Sequence, residues 1–239
     1  MIRLDKYIAD AAGLTRSEAS RAIRSGMAAV NGTVIRKPEQ KIEEATAAVT
    51  LNGSPCVYRR FRYYLMDKPV GLITASKDRA QRTVLDLFPP ELRKLDIAPI
   101  GRLDKDTGGL LLLTNDGEFA HRIISPKYAV PKVYQATVEH PFELEDPERF
   151  RNGLVLADGT KCLPAGLEIL SEFECLVTVR EGKYHQVRRM LASVGKPVLT
   201  LRRLSVGPLR VDPGPGAGQY RDLTEGELCI MFKLLGMEK

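Results

Sequence analysis

The stretch Gly101-Arg102-Leu103-Asp104-Lys105-Asp106-Thr107-Gly108-Gly109-Leu110, running on through Leu111-Leu112-Leu113-Thr114 to Asn115-Asp116-Gly117, decides how this chain is read. Leu110 to Thr114 is too apolar for a surface strand and predicts a strand near the middle of a sheet. Asn115-Asp116-Gly117 turns the chain into a helix ending near Pro126. The residues just before the strand are dense in glycine and charge. Glycines let the backbone bend sharply, so Asp104 is expected on a loop at the lip of the sheet. Outward from this stretch, short strands and short helices alternate. Strands are expected at Tyr63 to Met66, Val133 to Glu139 and Cys175 to Arg180. Val187, Met190, Leu191 and Val194 mark the buried face of a helix that Gly195 ends. Pro213, Pro215 and the glycines between 214 and 218 read as an exposed loop.

The 239 residues are 44% hydrophobic and 28% charged, an ordinary globular balance that excludes collagen-like, mucin-like and wholly disordered chains. The longest stretch without a charge, Ala45 to Tyr58, is broken by Gly53 and Pro55 and falls short of the roughly 20 apolar residues of a membrane span. Asp5, Lys6 and Asp10 stand where a signal peptide needs an apolar run. A cytoplasmic protein is expected. Cys56, Cys162, Cys175 and Cys229 show no paired spacing, and His121, His140 and His185 are scattered, so neither a zinc site nor a disulfide framework is expected. His185, lacking a sequence-adjacent partner, is given a structural hydrogen-bonding role.

The net charge of +6 is unevenly placed. Residues 1–63 carry 11 Lys and Arg against 6 Asp and Glu, while the remainder carries 25 against 24. A small basic module facing a polyanion fits that distribution. Ile2 to Ala12 has helical spacing. Thr15 and Glu18 form a capping box opening a second helix, with Ala19, Ala22 and Ile23 as its buried stripe. Tyr7 and Met27 are taken as core. Asn31-Gly32 between Ala29-Val30 and Thr33-Val34-Ile35 reads as a β-hairpin turn. This order of elements resembles the S4 RNA-binding domain, together with Arg3-Leu4-Asp5-Lys6, Ser17, Arg21, Ile23, Gly26 and Asn31-Gly32. The resemblance covers residues 1–57 and implies that Arg3, Lys6, Arg16, Arg21 and Arg24 touch RNA phosphates. Ser54-Pro55 and the basic run Arg59 to Arg62 mark a linker, set at 58–63, before a second domain over 64–239.

No glycine-rich nucleotide loop, nucleophile elbow or His-Glu-x-x-His motif is present. Residues 101–117 instead resemble the motif loop of the pseudouridine synthases, in their RsuA branch. Lys68-Pro69-x-Gly71 precedes that loop. Lys132-x-Tyr134, Glu181 to Met190 and Val206-Gly207-Pro208-Leu209 follow it in the family's order. The resemblance implies an α+β fold: a small S4 domain of helical hairpin plus β-hairpin, then a catalytic domain whose mixed, mainly antiparallel sheet is flanked by helices.

The reaction it implies breaks the N1–C1′ bond of a uridine, turns the base and joins C5 to C1′. No atom is gained or lost, so no cofactor and no metal is expected. The resemblance assigns the nucleophile to Asp104, with attack at C1′ or C6 left open. Arg188 is expected beside that carboxylate, keeping it ionised and fixing its aim. Tyr134 is assigned as the base that takes the C5 proton and as a platform for the uracil. Arg102 is expected to fill the space of the extruded base, and Lys68, Lys183 and Arg189 to contact phosphates. The implied partner is ribosomal RNA, as a free strand or a partly assembled small subunit, with the enzyme a monomer modifying one uridine of 16S rRNA. A 23S-directed sister enzyme and a non-catalytic S4 assembly factor are the alternatives. The joint presence of Asp104, Tyr134 and Arg188 argues against the second.

Overall fold

Asn31 and Gly32 take φ angles of 50° and 80°, the pair of positive values a tight hairpin turn needs, and Asn52 and Gly53 repeat them at 50° and 78°. In this computed structural model, which describes residues 1–211 and 216–238, these two turns build a four-stranded antiparallel sheet. Its order is Thr33–Val34, Ala28–Val30, Val49–Leu51, Ser54–Cys56. Ser54-Pro55, read as the start of a linker, thus belongs to a strand, and Pro55 is tolerated there because the strand lies at a sheet edge. The capping box forms as expected: Glu18 N donates to Thr15 Oγ1 and Thr15 N to Glu18 Oε2, opening helix Arg16–Arg24. The first helix starts at Leu4, two residues later than expected, because Ile2–Arg3 pair as a strand with Lys41–Ile42. Its free N-terminal donors go to the carbonyls of Gln40 and Pro38 instead of to a side-chain cap. Leu4, Ile8, Ala19, Ile23 and Val49 close the core, with Tyr7 buried among them; Met27, expected inside, is 48% exposed.

Contacts divide the chain into Met1–Phe61 with Pro89–Asp96, and Arg62–Phe88 with Ile97–Lys239. The second unit is built on one sheet ordered Gly166–Ser171, Glu174–Val179, Lys132–Val138, Val198–Val206, Thr107–Thr114, Tyr63–Lys68, Tyr220–Asp222. Ala98–Pro99 and Leu209–Arg210 add short pairings beside it. Among the described strands of this sheet every pairing is antiparallel except the seam between Leu201–Arg203 and Thr107–Gly109. The architecture is therefore α+β with a mixed, mainly antiparallel sheet. One apolar cluster packs helix Gln186–Ser193 and Phe150 on the sheet, and another packs helices Gly117–Ile124 and Glu225–Leu235. The Pro213–Pro215 part of the expected loop lies outside the described residues. No helix among the described residues is long and apolar enough to cross a membrane.

The central strand runs Thr107–Thr114, all eight residues buried, so Gly108 and Gly109 belong to it and not to the preceding loop. Gly109 adopts φ +101°, and a Cβ there would stand 2.2 Å from the Arg203 carbonyl oxygen. Only glycine lets the two backbones approach this closely at the seam.

Candidate active site

The loop ahead of the central strand is tied down from below. Thr74 Oγ1 donates to the Leu103 carbonyl at 2.6 Å, and Gly71 N donates to that of Lys105 at 2.7 Å. Lys68 is fully buried, and its ammonium donates to the carbonyls of Pro69 at 3.0 Å, Asp104 at 3.1 Å and Thr107 at 2.9 Å. This corrects the expectation of a phosphate contact: all three donors are spent on backbone, and no face reaches solvent. Burial pushes the Lys68 ammonium down to about 8, against the opposing pull of Asp104 and Asp106. Lys68 fixes the backbone from which the Asp104 side chain projects.

That side chain lies in the wall of a cavity of about 750 Å³ with Arg102, Tyr134, Lys183, His185 and Arg203. The carboxylate keeps 30% of its surface exposed, and His185 Nε2 stands 3.2 Å from its Oδ1. His185 reaches it from the residue capping helix Gln186–Ser193, with a left-handed backbone (φ 47°, ψ 35°) uncommon for a side chain of its size. Tyr184 stacks on its ring at 3.9 Å. The turn leading to this cap is internally braced: Lys183 N donates to Gln186 Oε1, and Gln186 Nε2 to Glu181 Oε1 at 2.7 Å. Lys183 also ion-pairs with Glu181. Burial raises the Glu181 carboxyl, but hydrogen bonds from Lys183, Leu163 N and Gln186 outweigh it and hold it below the ordinary range.

One turn further along the helix, Arg188 pairs with Asp106 at 2.8 Å, not with Asp104. The two acids of the Asp104-Lys105-Asp106 loop are thus met by the cap and by the first turn of one helix. Arg189 is engaged by Asp158 and by the Tyr184 carbonyl. Arg102 is exposed at the cavity wall and meets no hydrogen-bonding partner among the described residues. In the N-terminal unit, Arg3 and Arg16 both converge on buried Asp5, at 2.8 Å and 3.1 Å. Burial raises the Asp5 carboxyl, and the hydrogen bonds of Arg3 and Arg16 overcome that and lower it. Lys6, Arg21 and Arg24 are exposed.

Two features of the wall go beyond the expectations. His185, expected in a structural hydrogen-bonding role, has as its neighbour a carboxylate 81 positions away. Arg203 is 4% exposed, donates from Nε to the Leu110 carbonyl at 2.7 Å and from Nη1 to Tyr134 Oη at 3.3 Å, and lies 5.9 Å from the Tyr134 ring centre. The available signal was a charge inside an apolar run, Leu201-Arg202-Arg203-Leu204. Among the described residues, no group of three or more His, Cys, Asp or Glu side chains is placed to hold a metal ion.

Asp104 and Tyr134 thus line one cavity, while Arg188, expected beside Asp104, is paired with Asp106. Residues 62–193, more than half of the chain, match the family model described as RNA pseudouridylate synthase. This chain belongs to the RNA pseudouridylate synthase family. It is 40% identical over 234 residues to the RNA pseudouridine synthase YtzG of Bacillus subtilis, covering 96% of this chain and 98% of that one. It is 39% identical over 233 residues to the ribosomal small subunit pseudouridine synthase A of Vibrio cholerae, covering 97% and 100% of the two chains. The protein of that name from Escherichia coli is 39% identical over 233 residues, covering 95% and 99%. A crystal structure of a pseudouridylate synthase superposes with a TM-score of 0.69 at 34% identity, covering 97% of this chain and all of that one. As a pseudouridine synthase the protein is an isomerase, and its similarity to these proteins extends through the N-terminal unit as well as the catalytic sheet.

Proposed function

We propose that this synthase converts a uridine of small-subunit 16S ribosomal RNA to pseudouridine, with Asp104 as the nucleophile. The observation that carries the reading is the placing of Asp104: partly exposed in the cavity wall, its backbone carbonyl held by Lys68 and its carboxylate met by His185, with Tyr134 lining the same cavity. The small-subunit target follows from the relatives that carry that name over nearly their full length. A stacked uridine must leave its helix at a cost of a few kcal/mol, and Arg102, exposed at the cavity wall, is the side chain placed to fill the gap. Inside, Tyr134 is the platform for the base and the acceptor of its C5 proton, and Asp104 attacks at the ribose–base junction. Arg188 contributes by anchoring helix Gln186–Ser193 to Asp106, which holds His185 against Asp104. The N-terminal unit serves as an S4-type RNA-binding module in which Lys6, Arg21 and Arg24 face phosphates. The enzyme acts as a monomer on the RNA of the small subunit or its assembly precursor.

The test is release of tritium from C5-labelled uridine in 16S rRNA. Asp104→Asn is expected to abolish release while RNA binding persists, and continued release would remove Asp104 from the mechanism. Mapping pseudouridine in rRNA from cells lacking the protein identifies the target, and a site lost from 23S rRNA would overturn the small-subunit assignment.

A further inference from the structure

Two cations are buried beneath the cavity with no counter-charge beside them among the described residues. Arg203 gives its hydrogen bonds to the Leu110 carbonyl and the Tyr134 phenol. Lys132, also buried, gives its own to the carbonyls of Val130 at 2.9 Å and Ile123 at 3.4 Å. Both side chains line the cavity, and among the described residues neither has a carboxylate within 4.0 Å. Burial first, and then the neighbouring Arg203 charge, push the Lys132 ammonium down to about 8. Two like charges held together out of water cost stability unless something negative joins them. Arg203 lies over the Tyr134 ring, while Arg102, on the same cavity, is exposed.

We propose that Arg203 and Lys132 form a cationic wall that carries the negative charge of the uracil ring while it is detached from its ribose. The inference rests on the reading of Asp104 as nucleophile. When an Asp104 oxygen bonds to C1′, the N1–C1′ bond breaks and its electron pair leaves with N1, so the freed uracil is an anion with charge shared over O2 and O4. After the ring turns, C5 bonds to C1′, the Asp104 ester bond breaks and its electrons return to the carboxylate. The C5 proton departs to the base, and N1 regains a proton. If the carboxylate adds at C6 instead, the same negative charge appears on O4. Fixed cations aimed at charge that exists only during reaction lower the barrier without needing to reorganise.

The experiment measures single-turnover loss of the N-linked nucleoside in two rRNA transcripts, one made with uridine and one with 5-fluorouridine, whose base is the more stable anion. Arg203→Met and Lys132→Met are each expected to slow the uridine transcript about 10²–10³-fold, with the Kd for RNA within about twofold of wild type. The slowing is expected to be at least about tenfold smaller with 5-fluorouridine, which depends less on the wall. Arg203→Lys and Lys132→Arg are expected to recover most of the rate. Equal slowing on both bases, or full activity in either folded Met variant, would overturn the proposal. Arg203 also satisfies a strand carbonyl, so if Arg203→Met fails to fold, Lys132→Met decides the matter alone. Asp104→Asn run in parallel separates the two claims: conversion by that variant defeats the nucleophile assignment, whatever positions 132 and 203 show.

Discussion

Replacing Gly109 by alanine tests how the site is framed. The added Cβ would lie 2.2 Å from the Arg203 carbonyl oxygen and 2.7 Å from its nitrogen. An ordinary contact needs more than a further ångström, so the parallel seam between Thr107–Gly109 and Leu201–Arg203 must part or the backbone must leave φ +101°. Left-handed backbone costs an L-residue about 1–2 kcal/mol, and overpacking a filled interior costs about 1–3 kcal/mol. Together the loss is about 2–5 kcal/mol. With a urea slope of about 2–3 kcal/mol per M, the midpoint should fall by about 1–2 M. Gly108→Ala is the control: its backbone has ordinary φ, and its Cβ would meet the Lys68 carbonyl at 3.2 Å, a strain of tenths of an ångström. Urea titration by circular dichroism reads both, since the chain has no tryptophan. Activity should fall in Gly109→Ala below what the folded fraction accounts for, because Arg203 and Asp104 flank the seam. A Gly109→Ala midpoint within about 0.3 M of wild type, or one equal to Gly108→Ala, would refute the close-approach argument.

Lys68→Met strips three loop carbonyls of their donor; we expect a loss of about 1–3 kcal/mol and at least a tenfold fall in tritium release, with RNA affinity retained in a filter-binding assay. Lys68 and Lys132 lose their protons near pH 8 in the folded chain but near 10.5 when unfolded. Between those values the unfolded state holds more protons, so their contribution to stability rises with pH, while below about 8 it is constant. Wild type should therefore gain stability from pH 7.5 to 9.5 relative to the Lys68→Met/Lys132→Met double variant, and parallel curves would contradict the burial of charge. Replacing Lys6, Arg21 and Arg24 together by alanine should lower the slope of log affinity against log salt by about 2–3; an unaltered slope means that this face of the N-terminal unit does not meet RNA.

What could be read from the sequence was local. The Thr15–Glu18 capping box, the Asn31-Gly32 turn and the halt of a helix at Gly195 each depend on residues a few positions apart, and each appears in the fold. The same local signal at Thr224 and Glu227 opens helix Glu225–Leu235. The nine-residue strand Val198–Val206 escaped because Arg202 and Arg203 interrupt its apolar pattern. In space they face opposite ways: Arg202 pairs with Asp67 at 2.7 Å, and Arg203 points into the core. Lys68 reads as a phosphate contact because nothing near it in sequence shows that three carbonyls 1, 36 and 39 positions away converge on it. Nothing near Gly109 in sequence reports its crowding, because the backbone responsible arrives from residue 203.

These long-range pairs meet at one feature of the sheet. The central strand and Val198–Val206 run parallel for three residues and then part, so beyond Gly109 the Leu110 carbonyl has no ladder partner from that side. A buried carbonyl needs a donor, and a glutamine in place of Arg203 would supply one without bringing charge. Arginine supplies it from Nε and has donors left over, one of which reaches Tyr134. The fork therefore explains why a donor stands at position 203 but not why that donor is charged. Lys132 poses the same question from the neighbouring strand, since carbonyls alone do not require an ammonium. A cost that packing does not demand and the free protein does not recover is what a site preorganised for a transient anion should show.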